Sequence, residues 1–171
     1  AKLLPNAAGR LVEKEIRSFA SVLKNPARPY TVVLGGSKVS DKLGVIDNLL
    51  GSVDQLVIGG GMCFTFLAAQ GHAIGDSLFE PDWVDACLQI LKDAEQRGVS
   101  VLLPVDVVIA EDLDAAAETR VVRVTEGIPD GWKGLDIGPE TAASYAQAVL
   151  DSATVVWNGP MGVFEVAPFA A

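Results

Sequence analysis

Short apolar runs alternate along the chain with longer stretches in which apolar residues recur at helical spacing. Five runs rich in β-branched residues predict buried strands, and residues 119–124 alternate in polarity as an edge strand does. The five runs are residues 31–34, 55–58, 99–103, 105–109 and 153–157. Helices are predicted over residues 10–24, 43–50, 62–69, 81–97 and 137–150, and loops over residues 1–9, 111–118 and 126–134.

This order of elements predicts an α/β fold with a doubly wound, mostly parallel, Rossmann-like sheet and helices on both of its faces. Strands that are buried on both faces are continuous apolar runs, and helices between them permit parallel pairing. Ligands of such sheets bind beyond the carboxyl ends of the strands. Three glycine-containing turns follow strands directly here, namely Gly35-Gly36, Gly59-Gly60-Gly61 and Asn158-Gly159-Pro160. Their convergence on one edge predicts a nucleotide or phosphate site.

The first of these turns also carries positive charge. Lys38 and Lys42 follow Gly35, Gly36 and Ser37, and on a helix two residues four apart share a face and can reach one anion. Unpaired backbone N–H groups at a helix start favour phosphate oxygens. The segment is not a Walker sequence, which needs four residues between its first glycine and Gly-Lys. A tight turn followed by solvated lysines is the alternative interpretation.

Composition excludes several classes of partner. The 171 residues include 13 Lys and Arg against 22 Asp and Glu, a net charge of −9, which repels nucleic acid and anionic membranes. Between Lys42 and Lys92 the sequence has no basic residue except His72, so positive charge is local. Cys63 and Cys87 lie in apolar contexts that predict buried thiols, and with one histidine they are too few for a zinc site. The sequence shows no signal peptide and no apolar run of membrane-spanning length, so we expect a cytoplasmic protein.

Seven motifs occur in an order that resembles one known family. They are GGSKVSDK, IDNLL, IGGGM, GHAIGDSLFE, LPVDVV, GLDIGPET and VWNGPMGVFE, spread over nearly the whole chain. The chain resembles the carboxyl-terminal, nucleotide-binding half of phosphoglycerate kinase. That family transfers a phosphoryl group between 1,3-bisphosphoglycerate and Mg-ADP, which gives 3-phosphoglycerate and ATP.

The resemblance implies a role for each matching residue. Lys38 and Lys42 would bind the nucleotide phosphates beside Gly36 and Ser37, with Lys42 nearest the transferred group, and Asp41 would lie near Mg²⁺. Glu165 would accept hydrogen bonds from the ribose hydroxyls, and Asn158 and Gly159 would face the nucleotide. The adenine slot would be lined by Gly60, Gly61, Gly134, Leu135, Pro160 and Val163.

The chain also departs from the family pattern at both ends. The resemblance implies that residues 1–171 are part of the nucleotide-binding domain of a two-domain kinase, with a sheet incomplete at its C-terminal end. On this resemblance, we expect the amino-terminal domain that binds the phosphoglycerates to be absent and the aspartate that mainly holds Mg²⁺ to lie in a later turn beyond Ala171. We therefore expect this polypeptide to be inactive alone and to self-associate, although the intact enzyme is expected to be a monomer.

Two other functions remain alternatives. A non-catalytic nucleotide-binding module would use the same glycine turns and lysines without turnover. A Rossmann dehydrogenase domain needs a third glycine in its fingerprint, and Phe64 or Thr65 occupies that position here.

Overall fold

The structure is a computed structural model that describes residue 7 and residues 9–170, with the side chains of residues 18–24 excepted. The predicted connection over residues 1–9 therefore lies almost wholly outside the described residues. The described helices are α1 (Arg10–Lys24), α2 (Leu43–Leu49), α3 (Cys63–Ala69), α4 (Val84–Arg97) and α5 (Pro139–Leu150). The strands are β1 (Tyr30–Leu34), β2 (Gln55–Ile58), β3 (Ser100–Leu102), β4 (Asp106–Ala110), β5 (Arg120–Arg123), β6 (Lys133–Ile137) and β7 (Thr154–Asn158).

Four parallel strands in the order β3-β2-β1-β7 form the main sheet, which confirms the predicted fold class. Successive residues of a strand face opposite sides, so each strand contributes to two cores. Val32 and Leu34 of β1 belong to a core shared with α2, α3 and α4. Val33 and Val57 belong to a second core on the other face, which α5 covers with Tyr145. The helices therefore lie on both faces of the sheet, as the pattern predicted.

A second, antiparallel sheet of three strands in the order β5-β4-β6 was not predicted. The prediction of a loop over residues 126–134 was wrong at its end, because β6 begins at Lys133 and pairs with β4. Its sequence, KGLDI, contains a lysine, a glycine and an aspartate and so lacks the apolar run of a buried strand. The remaining strands and helices lie within two residues of their predicted bounds, except that α4 is preceded by a short 3₁₀ turn over Pro81–Trp83.

Both cysteines are free and buried, as their sequence contexts predicted. Burial raises the pKa of the Cys63 thiol, and it is also the main reason why the pKa of Cys87 rises to about 12. Both side chains therefore stay protonated at neutral pH and act as small apolar groups in the core. Over the described part of the chain, no helix combines the length and the apolar character that crossing a membrane requires.

Strand β7 lies at the edge of the parallel sheet and leaves apolar side chains exposed. Trp157 is 60% exposed and Leu150 of α5 is 77% exposed, and both border an apolar cavity of about 590 Å³ between α5 and the sheet. An edge strand beside an apolar surface favours pairing with another chain.

We expect the 171-residue chain to self-associate through this edge, because association pairs the β7 backbone and covers Trp157. Light scattering over a concentration series is expected to give a mass that rises with concentration. Trp157→Lys is expected to reduce the rise, whereas Leu11→Lys, at an exposed position on α1, leaves it unchanged. A monomer mass at the highest concentration would contradict this expectation.

Candidate nucleotide site

A cavity of about 560 Å³ lies at the carboxyl-terminal edge of the parallel sheet, within the size range of small-ligand sites. It gathers predicted residues from four separate stretches of the sequence. Nine of the predicted nucleotide-binding residues line it, namely Gly36, Ser37, Gly60, Gly61, Gly134, Leu135, Pro160, Val163 and Glu165. The structure therefore brings most of the residues that the resemblance implied into one cavity.

Backbone hydrogen bonds join the three glycine turns to one another. The N–H of Gly36 donates to the carbonyl oxygen of Pro160 at 3.1 Å. The N–H of Met62 donates to the carbonyl oxygen of Gly36 at 3.0 Å. Gly60 has φ +65°, and a Cβ there would lie 2.6 Å from the Gly36 nitrogen. Only glycine permits both this left-handed backbone and so close an approach. The turns after β1, β2 and β7 thus form one backbone surface.

The second sheet supplies the opposite wall of the cavity through Gly134 and Leu135 of β6. The N–H of Gly134 donates to Ser77 Oγ at 2.9 Å, and the ring of Phe64 lies against Gly134 where a side chain would otherwise stand. The carbonyl oxygen of Leu135 accepts from the N–H of Val163 at 3.0 Å. These contacts bring backbone from both sheets to the cavity, whose lining is mostly apolar, and such a lining suits a flat aromatic base.

Five residues that the sequence analysis did not single out also line the cavity, namely Asp76, Leu78, Leu113, Lys133 and Gly162. Leu78 is 58% exposed in the structure, and its place in the GHAIGDSLFE motif was the only signal that the sequence offered for it. Leu113 lies in the acidic loop, where nothing in the sequence distinguishes it. The Lys133 ammonium donates to the carbonyl oxygen of Glu111 at 2.8 Å and so ties that loop to β6.

Lys38 and Lys42 lie beside the cavity rather than in its lining. The expectation that they share a helical face was wrong, because α2 begins only at Leu43 and both lysines precede it. The N–H of Lys42 donates to the carbonyl oxygen of Val39 at 2.9 Å in a turn. The Lys42 ammonium donates to Asn158 Oδ1, so the lysine turn meets the end of β7.

Three more predicted residues, Asn158, Gly159 and Asp41, lie outside the cavity lining. Gly159 has φ +94°, and a Cβ there would lie 2.5 Å from the Gly35 carbonyl oxygen, so Gly159 permits the turns after β1 and β7 to touch. Asp41 is an exposed carboxylate between the two lysines. Within the described residues, no group of three or more His, Cys, Asp or Glu side chains lies together as a metal site. Mg²⁺ commonly binds through one or two carboxylates together with substrate phosphates, so the role of Asp41 near Mg²⁺ stays a prediction.

Comparison with known proteins gives a consistent result. The family model for phosphoglycerate kinase matches residues 1–171. The chain is 56% identical over 170 residues to the phosphoglycerate kinase of Roseiflexus castenholzii and 58% identical over 169 residues to that of Parafrankia sp.. These matches cover 99% of this chain but only 43% and 41% of the two relatives, so the chain spans less than half of their length.

Solved structures show the same relationship. The phosphoglycerate kinase of Coxiella burnetii matches with a TM-score of 0.91 and 43% identity, and that of Pyrococcus horikoshii with a TM-score of 0.80 and 29% identity. Each match covers 95% of this chain and 41% of the solved chain.

Proposed function

The chain belongs to the phosphoglycerate kinase family, and on that premise we propose that it is the nucleotide-binding part of a glycolytic kinase. The reaction is phosphoryl transfer between 1,3-bisphosphoglycerate and Mg-ADP, with 3-phosphoglycerate and ATP as products. The phosphoglycerates would bind to an amino-terminal domain outside this sequence. The observation that carries the proposal is the single cavity that nine expected nucleotide contacts line together.

The cavity supports a division of the nucleotide into three parts. The slot between Gly61 and Leu135 would take the adenine ring, because it is apolar and bounded by backbone. Glu165 is exposed at the cavity, where its carboxylate can accept hydrogen bonds from the ribose hydroxyls. The phosphates would then extend past Ser37 toward the turn that carries Lys38 and Lys42.

The lysines supply the chemistry that this reaction needs. Phosphoryl transfer requires positive charge positioned on oxygens that gain negative charge in the transition state. No base is needed, because the attacking oxygen belongs to a phosphate of ADP, or in the reverse direction to a carboxylate, and is already ionised at neutral pH. Lys38 would hold the nucleotide phosphates, and Lys42 would stabilise the group in transfer. Mg²⁺ would enter with ADP as part of the substrate, with Asp41 near it.

Calorimetric titration of the 171-residue chain with Mg-ADP tests the nucleotide site. We expect saturable binding, and we expect Glu165→Gln to weaken it about 10-fold, because a hydrogen bond to a charged group is worth about 1.5–3 kcal/mol. Glu95→Gln is the matched control, since Glu95 is an exposed carboxylate on α4 that does not line the cavity.

Two results would contradict the proposal. Absence of binding at millimolar Mg-ADP would contradict the proposal that this cavity is a nucleotide site. Equal weakening by Glu165→Gln and Glu95→Gln would show that the carboxylate at the cavity has no particular role in binding.

A further inference from the structure

The carboxylate of Glu80 makes a two-point contact with Ser40, forty residues away in the sequence. Glu80 Oε2 accepts the backbone N–H of Ser40 at 3.0 Å, and Glu80 Oε1 accepts the Ser40 hydroxyl at 2.7 Å. Two bonds to one residue fix both the position and the orientation of the backbone there. Ser40 lies midway between Lys38 and Lys42, so the contact is made at the centre of the lysine turn.

Glu80 is itself held from the other side. Its backbone N–H donates to Thr65 Oγ1 at 3.2 Å, and Thr65 is buried in α3. Its carbonyl oxygen accepts from the N–H of Trp83 at 3.0 Å in the 3₁₀ turn before α4. The carboxylate therefore extends from a fixed point on the helical layer to the lysine turn.

Charge supports the same arrangement. The hydrogen bond from the Ser40 hydroxyl is the main reason why the pKa of Glu80 lies below its usual range, and the positive charge of Lys38 contributes. Glu80 is therefore ionised at neutral pH and accepts both bonds from Ser40. Val39 also anchors this turn, because its side chain is fully buried. Backbone and side-chain anchors thus lie side by side, at Ser40 and Val39.

We infer that Glu80 is a positioning residue that holds the Ser40 backbone so that Lys38 and Lys42 face the nucleotide phosphates. The inference rests on the proposed function and adds a residue to it from a motif, GHAIGDSLFE, that is distant in sequence from the lysine turn. Glu80 does not line the cavity itself, and its carboxylate meets the lysine turn at Ser40.

The test compares ADP with adenosine, because only ADP uses the lysine turn. Glu80→Ala is expected to weaken ADP binding to the chain about 10-fold and to change adenosine affinity less than twofold. Glu80→Gln is expected to restore ADP affinity to within about threefold, since its amide can accept the Ser40 N–H and donate to the Ser40 hydroxyl. Glu95→Ala is the control for loss of an exposed carboxylate.

The outcomes separate this inference from the proposed function. Unchanged ADP affinity in Glu80→Ala, or equal loss of ADP and adenosine binding, overturns the positioning role while the nucleotide site stands. Failure of the unmodified chain to bind ADP overturns the proposed function, and this inference falls with it. Should Glu80→Ala not fold, Ser40→Ala decides, because it removes only the hydroxyl bond. A loss of about threefold for ADP alone supports the inference, and no loss overturns it.

Discussion

Lys42→Ala is expected to lower kcat about 10²–10³-fold in a full-length phosphoglycerate kinase that carries this sequence, by analogy with deletion of one transition-state donor. Under the proposed function, the Lys42 ammonium would act on oxygens that gain charge only as the phosphoryl group moves. Its contribution is therefore largest in the transition state and smaller in the bound ground state. Steady-state kinetics with Mg-ADP and 1,3-bisphosphoglycerate measure the effect, and the KM for ADP is expected to change less than kcat.

The control for this variant is Lys92→Ala, which removes an exposed lysine from α4. It is expected to leave kcat within twofold of the parent. A Lys42→Ala enzyme that keeps nearly full turnover would refute the role given to Lys42. A change in KM for ADP at constant kcat would instead assign Lys42 to ground-state binding.

The 171-residue chain alone is expected to show no measurable turnover in a coupled assay with Mg-ADP and 1,3-bisphosphoglycerate. The chain covers only 43% of the Roseiflexus castenholzii relative, and the phosphoglycerate domain that the resemblance implies is not within it. Kinases of two domains exclude water and complete their sites by closure, which a single domain cannot perform. A full-length relative in the same assay provides the positive control.

This result is informative only alongside the titration with Mg-ADP. Binding without turnover is the expected combination, and it describes the chain as a nucleotide-binding unit whose chemistry needs a second domain. Turnover near that of the full-length relative would refute the expectation. It would also show that this cavity and its lysines suffice for phosphoryl transfer.

The two central strands of the parallel sheet, β1 and β2, were predictable because they are buried on both faces. Val32, Val33 and Leu34 are all at most 2% exposed, so β1 is a continuous apolar run in the sequence. Strand β6 could not be found this way, because its residues are suited to contacts with particular neighbours and do not form an apolar run. Gly134 makes room for Phe64, and Asp136 lies against Gly162. Such contacts between distant residues leave no periodic signal.

The cavity-lining residues that lie in the glycine turns could be predicted from the sequence, whereas those that lie in loops could not. Glycine turns that follow strands necessarily meet at one edge of a parallel sheet, so Gly36 and Gly60 could be expected together. Leu78 and Leu113 line the same cavity from loops, where sequence pattern gives no direction to a side chain. The hydrogen-bonded pair of Ser40 and Glu80 depends on how the helices pack against the lysine turn. The spacing of residues within GGSKVSDK or GHAIGDSLFE does not reveal this packing.

The lysine spacing illustrates how one pattern fits two structures. Residues four apart share a face on a helix, but the same residues can also flank a turn. Here the carbonyl oxygen of Val39 accepts N–H groups from both Lys42 and Leu43, so the helix begins after the second lysine. The prediction that the two lysines can reach one anion does not depend on the helix, and it stays a prediction.

The hydrogen bond between Lys42 and Asn158 has a thermodynamic consequence for ligand binding. Under the proposed function, an arriving phosphate would accept from one of the other two N–H donors of the ammonium, because Asn158 Oδ1 accepts from only one of the three. The same bond restricts a side chain with four rotatable bonds before the nucleotide arrives. Less rotamer entropy is then lost on association, and the ordering cost has been met during folding.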